Sequence, residues 1–450
     1  MRFVSRASLP YLRISIFTVL VALWYFFRHP RASPTYNGPP DWDLILKSPT
    51  TSSACPNFPG TSNIGVAIKT GATEATEKIP ALMQTRLRCL ENVFFFSDLE
   101  QDIDSHHLYD ALDTISEAFL NENQDFTFYR QQKTLWQRTQ NITSLRGTKN
   151  PESPNVLAAW TLDKYKFIHI VEKTWALKPD LDWYLFLDAD TYVVWPNMIH
   201  WLSTLDPNRK SYFGSEVSIN DIAFAHGGSG IILSKALVYE IAVTRKGVAA
   251  QWDGRTKERC CGDLVLAEMM REFGTRLRDV WPLMSGERPE SLPFGPGSGE
   301  YWCKPALTFH HVSVAGMKRF SDFEEAWWDR TKMPLRHADV LKELWLRDMT
   351  ERRENWDNLA ADKGEFGKTG GVKKVAATFE ECKSACEGDE DCFQFSWHGG
   401  KCFVGRSVRF GEERIPDEGG EWTSGWSLTR LESWMGRQEG CDGVEWPGQR

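Results

Sequence analysis

Five consecutive residues, Trp183 to Leu187, are all apolar or aromatic, and two carboxylates, Asp188 and Asp190, follow directly. A run this short, rich in aromatics and bounded by polar residues, reads as a strand buried on both faces. Only a sheet covered on both sides buries such a strand, so the run asks for an α/β core. The carboxyl ends of strands in such sheets are where ligands bind. Two carboxylates one residue apart, just past a buried strand, offer oxygens to a hard divalent cation that keeps open positions for substrate phosphates. The other reading is a capped turn between two strands. The D-x-D spacing alone carries little: it recurs at Asp41/Asp43, Asp102/Asp104, Asp180/Asp182 and Asp389/Asp391, all in loops or charged segments.

The chain has 450 residues, 41% of them hydrophobic, enough for one large or several ordinary domains. A net charge of −8 argues against a nucleic-acid partner, which wants a basic face. Ile14 to Phe27 is apolar apart from Ser15 and Thr18. Extended over residues 9–29, with Arg13 snorkelling, it approaches the span of about 20 residues that a bilayer needs. Arg2, Arg6 and Arg13 put its N-terminal side in the cytoplasm, an asymmetry that Arg28 and Arg31 weaken. A cleaved signal peptide is the alternative, but no small-residue cleavage site follows. The expectation is a type II signal-anchor with a cytoplasmic tail at residues 1–8. A stem rich in Pro, Ser, Thr and Gly follows at residues 30–60. Ten cysteines, four of them clustered late in the chain, fit an oxidising lumen.

Strand and helix patterns alternate after the stem, as in βαβ units. Ile64 to Thr70 and Val93 to Asp98 read as strands, and Leu82 to Leu90 as a helix. His106 to Leu120 carries Leu108, Leu112, Ile115 and Phe119 at the spacing of one helix face. Trp160 to Thr174 reads as a helix with Trp160, Phe167 and Val171 inward. Asn141 to Thr143 is an N-glycosylation sequon, which suits a lumenal loop. Gly227 to Gly230 lets backbone approach a ligand closely. Asp263 opens a helix that buries Leu266, Met269 and Phe273, as a cap or as a catalytic carboxylate. His310 and His311 follow a short apolar run, as core residues or as a third metal ligand beside two carboxylates.

Taken in order, Lys69-Thr70, Trp183 to Val194, Tyr212 to Gly214, Gly227 to Ser234, Gly262-Asp263 and Phe309 to Val312 resemble glycosyltransferase family 31. The chain is most similar there to the core 1 β1,3-galactosyltransferase and fringe branch, in its fungal form, over roughly residues 60 to 320. The resemblance implies a GT-A fold, a Rossmann-like mixed sheet flanked by helices, with a UDP-sugar donor, Mn²⁺ and inversion at the anomeric carbon. It implies that Asp188 and Asp190 hold the metal on the diphosphate with His310, and that Asp263 is the base. Lys69 and Thr70 would lie where the uridine end docks, with Asp98 a further donor contact. Two positions depart from the pattern: Ala189 replaces a middle carboxylate, and Gly262 the first member of an acidic pair, which could shift acceptor preference. Residues 61–362 would be the catalytic domain, placed in the Golgi lumen, with a glycoprotein or glycan as acceptor.

Cys382, Cys386, Cys392 and Cys402 resemble a PAN/apple domain, making residues 372–450 a small disulfide-rich α+β module with a tail. Nested pairs, Cys386 with Cys392 and Cys382 with Cys402, are expected, along with Cys55–Cys89 and a bridge from Cys260 or Cys261 to Cys303. Trp422, Trp426, Trp434 and Cys441 would pack back on the catalytic domain. The reading of a different class is a lumenal carbohydrate-binding protein on a transferase scaffold that has lost turnover.

Overall fold

The computed structural model describes residues 55, 60–151, 153–296, 301–361, 372–438, 441, 444, 446 and 447. The expected anchor, and nearly all of the stem, lie outside these. Among the described residues no helix is long and apolar enough to cross a membrane.

Eight strands form one sheet: β1 (Ile64–Lys69), β2 (Asn92–Ser97), β3 (Gln101–Ile103), β4 (His106–Asp110), β5 (Trp183–Asp188), β6 (Tyr212–Gly214), β7 (Ile231–Ser234) and β8 (Leu277–Asp279). Their order is β8-β6-β7-β5-β1-β2-β4-β3. β1 runs parallel to β2 and β5, β2 to β4, and β6 to β8. β7 is antiparallel to both β5 and β6, which makes the sheet mixed. Alternate side chains feed two cores. Ile64, Val66 and Ile68 of β1 and Trp183, Leu185 and Leu187 of β5 face α1 (Ala75–Leu82) and, further along the same core, α4 (Val314–Thr331). Tyr184, with Ile231 and Leu233, faces α2 (Ala158–Leu177) and α3 (Gly262–Glu272). Helices on both faces are why β5 reads as an unbroken apolar run. This three-layered mixed sheet is the GT-A fold.

Three sequence expectations are corrected here. His106 to Leu120 is not one helix: His106–Asp110 is strand β4, and helix is confined to Glu117–Glu122. Leu108 is buried while His107 is exposed, the two-residue alternation of a strand. Helix also fails over Leu82 to Leu90, where α1 ends at Leu82 and only a 3-10 turn, Arg86–Cys89, follows. Thr85 makes the break: its hydroxyl donates to Leu82 C=O at 2.7 Å and accepts from Leu87 N–H at 3.2 Å. Third, α2 buries Val171 and partly buries Phe167, but Trp160 is 72% exposed. Asp163 lies level with the end of β1, so Trp160, one turn earlier, stands beyond the sheet with no core to enter.

All cysteines in the described residues are paired. Cys55–Cys89, Cys382–Cys402 and Cys386–Cys392 are as expected. The expected bridge from Cys260 or Cys261 to Cys303 does not form: Cys260 pairs with Cys261, and Cys303 with Cys441. Packing decides this, because Trp302 meets Trp434 edge-on at 4.7 Å and so draws the tail to Cys303. The C-terminal module supplies four strands of a five-stranded sheet, with the helix Phe379–Glu387 against it; the fifth, Arg353–Glu354, comes from before the expected boundary and pairs with Thr423–Trp426. Phe379, Cys382, Cys386, Cys392, Phe395, Cys402 and Val404 form its own small core. Trp426 and Trp434 join the main core as expected, whereas Trp422 stacks instead on His398 within the module, at 4.0 Å.

Candidate active site

The strand register builds the first contact. Lys69 closes β1 and Asp188 closes β5, and the two are direct partners in the parallel ladder. Lys69 Nζ therefore meets Asp188 Oδ1 at 2.8 Å. It also reaches both oxygens of Asp163 on α2, at 2.8 and 2.7 Å. Burial pulls the ammonium pKa down, but the two carboxylates outweigh it and hold it above its usual range. Asp163 had no signal in the sequence, lying 94 residues away from its partner.

Past Asp188 the chain turns, with Thr191 N–H donating to Asp188 C=O at 2.9 Å. The short pairing of Tyr192–Val193 with Thr308–Phe309 brings the two histidines to this turn. His310 Nε2 lies 3.4 Å from Asp190 Oδ1, and His311 Nδ1 4.0 Å from Asp190 Oδ2. One ligand atom from each of Asp190, His310 and His311 falls within 4.8 Å of the others. Burial alone would raise the Asp190 carboxyl. The His310 hydrogen bond, with the charges of Lys78, His310 and His311, holds it well below the usual carboxylate range instead. Lys78 on α1, not marked in the sequence, places Nζ 3.3 Å from Asp190 Oδ2. Gly228 is required here: a Cβ there would sit 2.1 to 2.5 Å from the His310 ring. Thr191 Oγ1 donates to Gly228 C=O at 2.7 Å and fixes that approach.

The donor set fits a divalent ion of borderline softness. One carboxylate and two imidazoles converge, and buried His310 Nδ1 has no partner among the described residues. Asp188 stands apart from this group, held by Lys69. A cleft of about 170 Å³ opens on Asp190, lined among others by Lys78, His311, Ser313 and Met317. Ser313 caps α4, so that helix directs its N-terminus at the cleft.

Asp263 sits in the first turn of α3 on the other side of Lys69. Its Oδ2 accepts from Gly227 N–H at 2.9 Å, and its Oδ1 from Leu264 N–H at 2.9 Å. Burial pushes its pKa up against these two bonds. Nearby His226, also unmarked in the sequence, is lowered to about 4 by burial and donates or accepts at Ser229 Oγ, 2.8 Å away. Its ring lies 5.3 Å from that of His310.

The expected donor contacts divide. Thr70 is buried beside Lys69, with its N–H bound to Phe96 C=O at 3.0 Å. Asp98 is fully buried and engaged by Ala72 N–H at 2.8 Å, Gln132 Nε2 at 2.6 Å and Lys166 Nζ at 3.2 Å. It braces the loop after β1 from within and presents no free oxygen to the cleft.

Residues 60–279 match the model of the family described as Fringe-like. The match covers β1 to β8 and carries Lys69, Asp188, Asp190 and Asp263. It supports a glycosyltransferase of family 31. His310 and the C-terminal module lie past the matched residues.

Proposed function

We propose that this chain is a metal-dependent inverting glycosyltransferase that moves galactose from a UDP donor, in β1,3 linkage, to an O-glycan of a glycoprotein. The setting is the Golgi lumen, with residues 9–29 as membrane anchor and the PAN/apple-like module attached behind the catalytic domain. The observation that carries the reading is the convergence of Asp190, His310 and His311 at the end of β5, with Asp263 held separately on α3.

Asp190, His310 and His311 would hold the ion; two imidazoles favour a transition ion over Mg²⁺ or Ca²⁺, and Mn²⁺ is the one that the family resemblance implies. When bound, it neutralises charge on the diphosphate as UDP leaves. The cleft of about 170 Å³ over Asp190 suits the diphosphate end of the donor. Lys78 and the N-terminus of α4 both suit an anion there. Lys69 holds Asp188 and Asp163 in place between the two halves of the site. Asp263 removes the proton from the acceptor hydroxyl while that oxygen forms its bond to the anomeric carbon, and the bond from that carbon to the diphosphate oxygen breaks. The raised pKa of Asp263 makes it a better proton acceptor than an exposed carboxylate.

The test is turnover by the full chain in detergent, with Mn²⁺, UDP-Gal, UDP-GlcNAc and UDP-Glc, and a peptide carrying O-linked N-acetylgalactosamine. The expected result is transfer from UDP-Gal, abolished by EDTA and lowered at least about a hundredfold by Asp190→Ala. Metal-dependent UDP binding without transfer from any donor would move the assignment to a carbohydrate-binding protein. Absence of UDP binding would sink the placement of the donor.

A further inference from the structure

Trp160 has no structural task. It is 72% exposed, and it is the only tryptophan among the large apolar side chains that stand exposed in the described residues. Its place is specific. On α2 it begins a stripe that continues through Asp163, Lys164 and Phe167, at the three- and four-residue spacing that puts side chains on one helix face. Asp163 and Phe167 carry it to the active site through their side chains, and Lys164 through its backbone carbonyl alone, its ammonium pairing with Asp125. Asp163 binds Lys69 through both oxygens. Phe167 lies under Lys69 Nζ, with its ring centroid 4.6 Å away. Phe167 and the Lys164 carbonyl press on Gly262, next to Asp263, so closely that a Cβ there would lie 2.3 to 2.4 Å from them. Trp160 is one turn above Asp163, about 4.5 Å along the axis, and helical side chains lean further toward the N-terminus. The indole thus stands about one ring's width beyond the Lys69–Asp163 pair.

The side of the site is also fixed. Lys78 on α1, His311 and the cleft over Asp190 lie toward α1 and α4. The Trp160 stripe lies toward α3 and Asp263. In an inverting displacement the nucleophile enters opposite the leaving diphosphate, so the incoming sugar occupies the side of the base.

We propose that Trp160 is an acceptor-binding residue, an aromatic ledge on which the acceptor hexose lays its flat C–H face while its hydroxyl is presented to Asp263. This rests on the transferase reading above. Indole suits the task, being broad, rigid and apolar, with few rotamers to lose on binding.

The experiment compares the full chain with Trp160→Ala and Trp160→Phe. Steady-state kinetics use benzyl α-glycosides of N-acetylgalactosamine, galactose, glucose and mannose as acceptors, alongside UDP titration by calorimetry. A saturation-transfer NMR arm reads binding of the same glycosides without donor. Trp160→Ala is expected to raise the acceptor KM at least about tenfold, with donor KM and UDP Kd unchanged within about twofold and Trp160→Phe close to the parent chain. An unchanged acceptor KM, or a donor KM rising in step with it, overturns the ledge. If the parent chain neither transfers nor binds UDP, the transferase reading fails on its own, and the NMR arm decides the ledge. A saturation-transfer signal on the sugar that disappears in Trp160→Ala upholds it; a signal that survives the change, or that the parent chain never gives, overturns it.

Discussion

At the scale of single residues, Asp263 is the group whose role can be separated most cleanly. Its carboxylate accepts two backbone N–H bonds, one from its own helix and one from Gly227. A cap would do that much. Burial nonetheless leaves its pKa raised, as suits a base. Asp263→Asn keeps an oxygen for one of the two N–H groups and removes the proton acceptor. We expect kcat to fall by about 10²–10⁴-fold with UDP binding retained. The pH dependence has a definite sign. A base works only when ionised, and a raised pKa delays ionisation, so kcat/KM should fall on the acid side at a pH above the usual carboxylate value of 3.8. A pH–rate profile checks this. A variant that loses stability but keeps kcat would make Asp263 a cap alone.

At the scale of elements, α3 is set against α2 by Gly262. A Cβ at that position would sit 2.4 Å from the Lys164 carbonyl oxygen, a backbone atom that cannot swing aside, and 2.3 Å from Phe167. Gly262 is therefore a packing requirement of this chain, and the carboxylate that the family pattern has there would not fit between these helices. Gly262→Ala should cost about 1–3 kcal/mol of stability, seen as a lower midpoint in denaturant unfolding, and should reduce kcat by moving Asp263. Elements also explain what the sequence could and could not reveal. Strand β5 was legible because both its faces are buried, which its aromatic run states outright. His106 to Leu120 was misread because Leu108, Leu112, Ile115 and Phe119 keep a helical spacing across a strand, a turn and the start of a short helix. Periodicity cannot see the pairing of β4 with β2 and β3 that decides the matter. Asp190 and His310 were marked in the sequence by the apolar runs before them and Asp263 by the start of a helix, while their roles came only from the family resemblance. Lys78 and Asp163 were not marked, because they reach the site only through helix packing, 112 and 94 residues from their partners. Trp160 was placed inward by phase alone, since nothing local marks where a sheet ends.

At the scale of the whole molecule, the C-terminal module is not a pendant. Phe393, Val408, Phe410, Trp426, Leu431, Trp434 and Trp446 belong to the same buried cluster as β1, β5 and α4. Trp345 stacks on Phe410 at 4.5 Å, and Trp302 meets Trp434 at 4.7 Å. Cys303–Cys441 then closes this contact over a separation of 138 residues. A cross-link over so long a loop restricts the unfolded chain strongly, while the apolar contacts beside it act in the folded state. Replacing both cysteines by serine should therefore lower stability by about 2–4 kcal/mol. It should not split the unfolding curve, because the shared core still couples the two parts. Guanidinium unfolding followed by both tryptophan fluorescence and circular dichroism checks this: the two probes should give coincident single transitions, with the variant's midpoint lower. Two separated transitions in the variant would mean that the disulfide, and not the common core, joins the module to the catalytic domain.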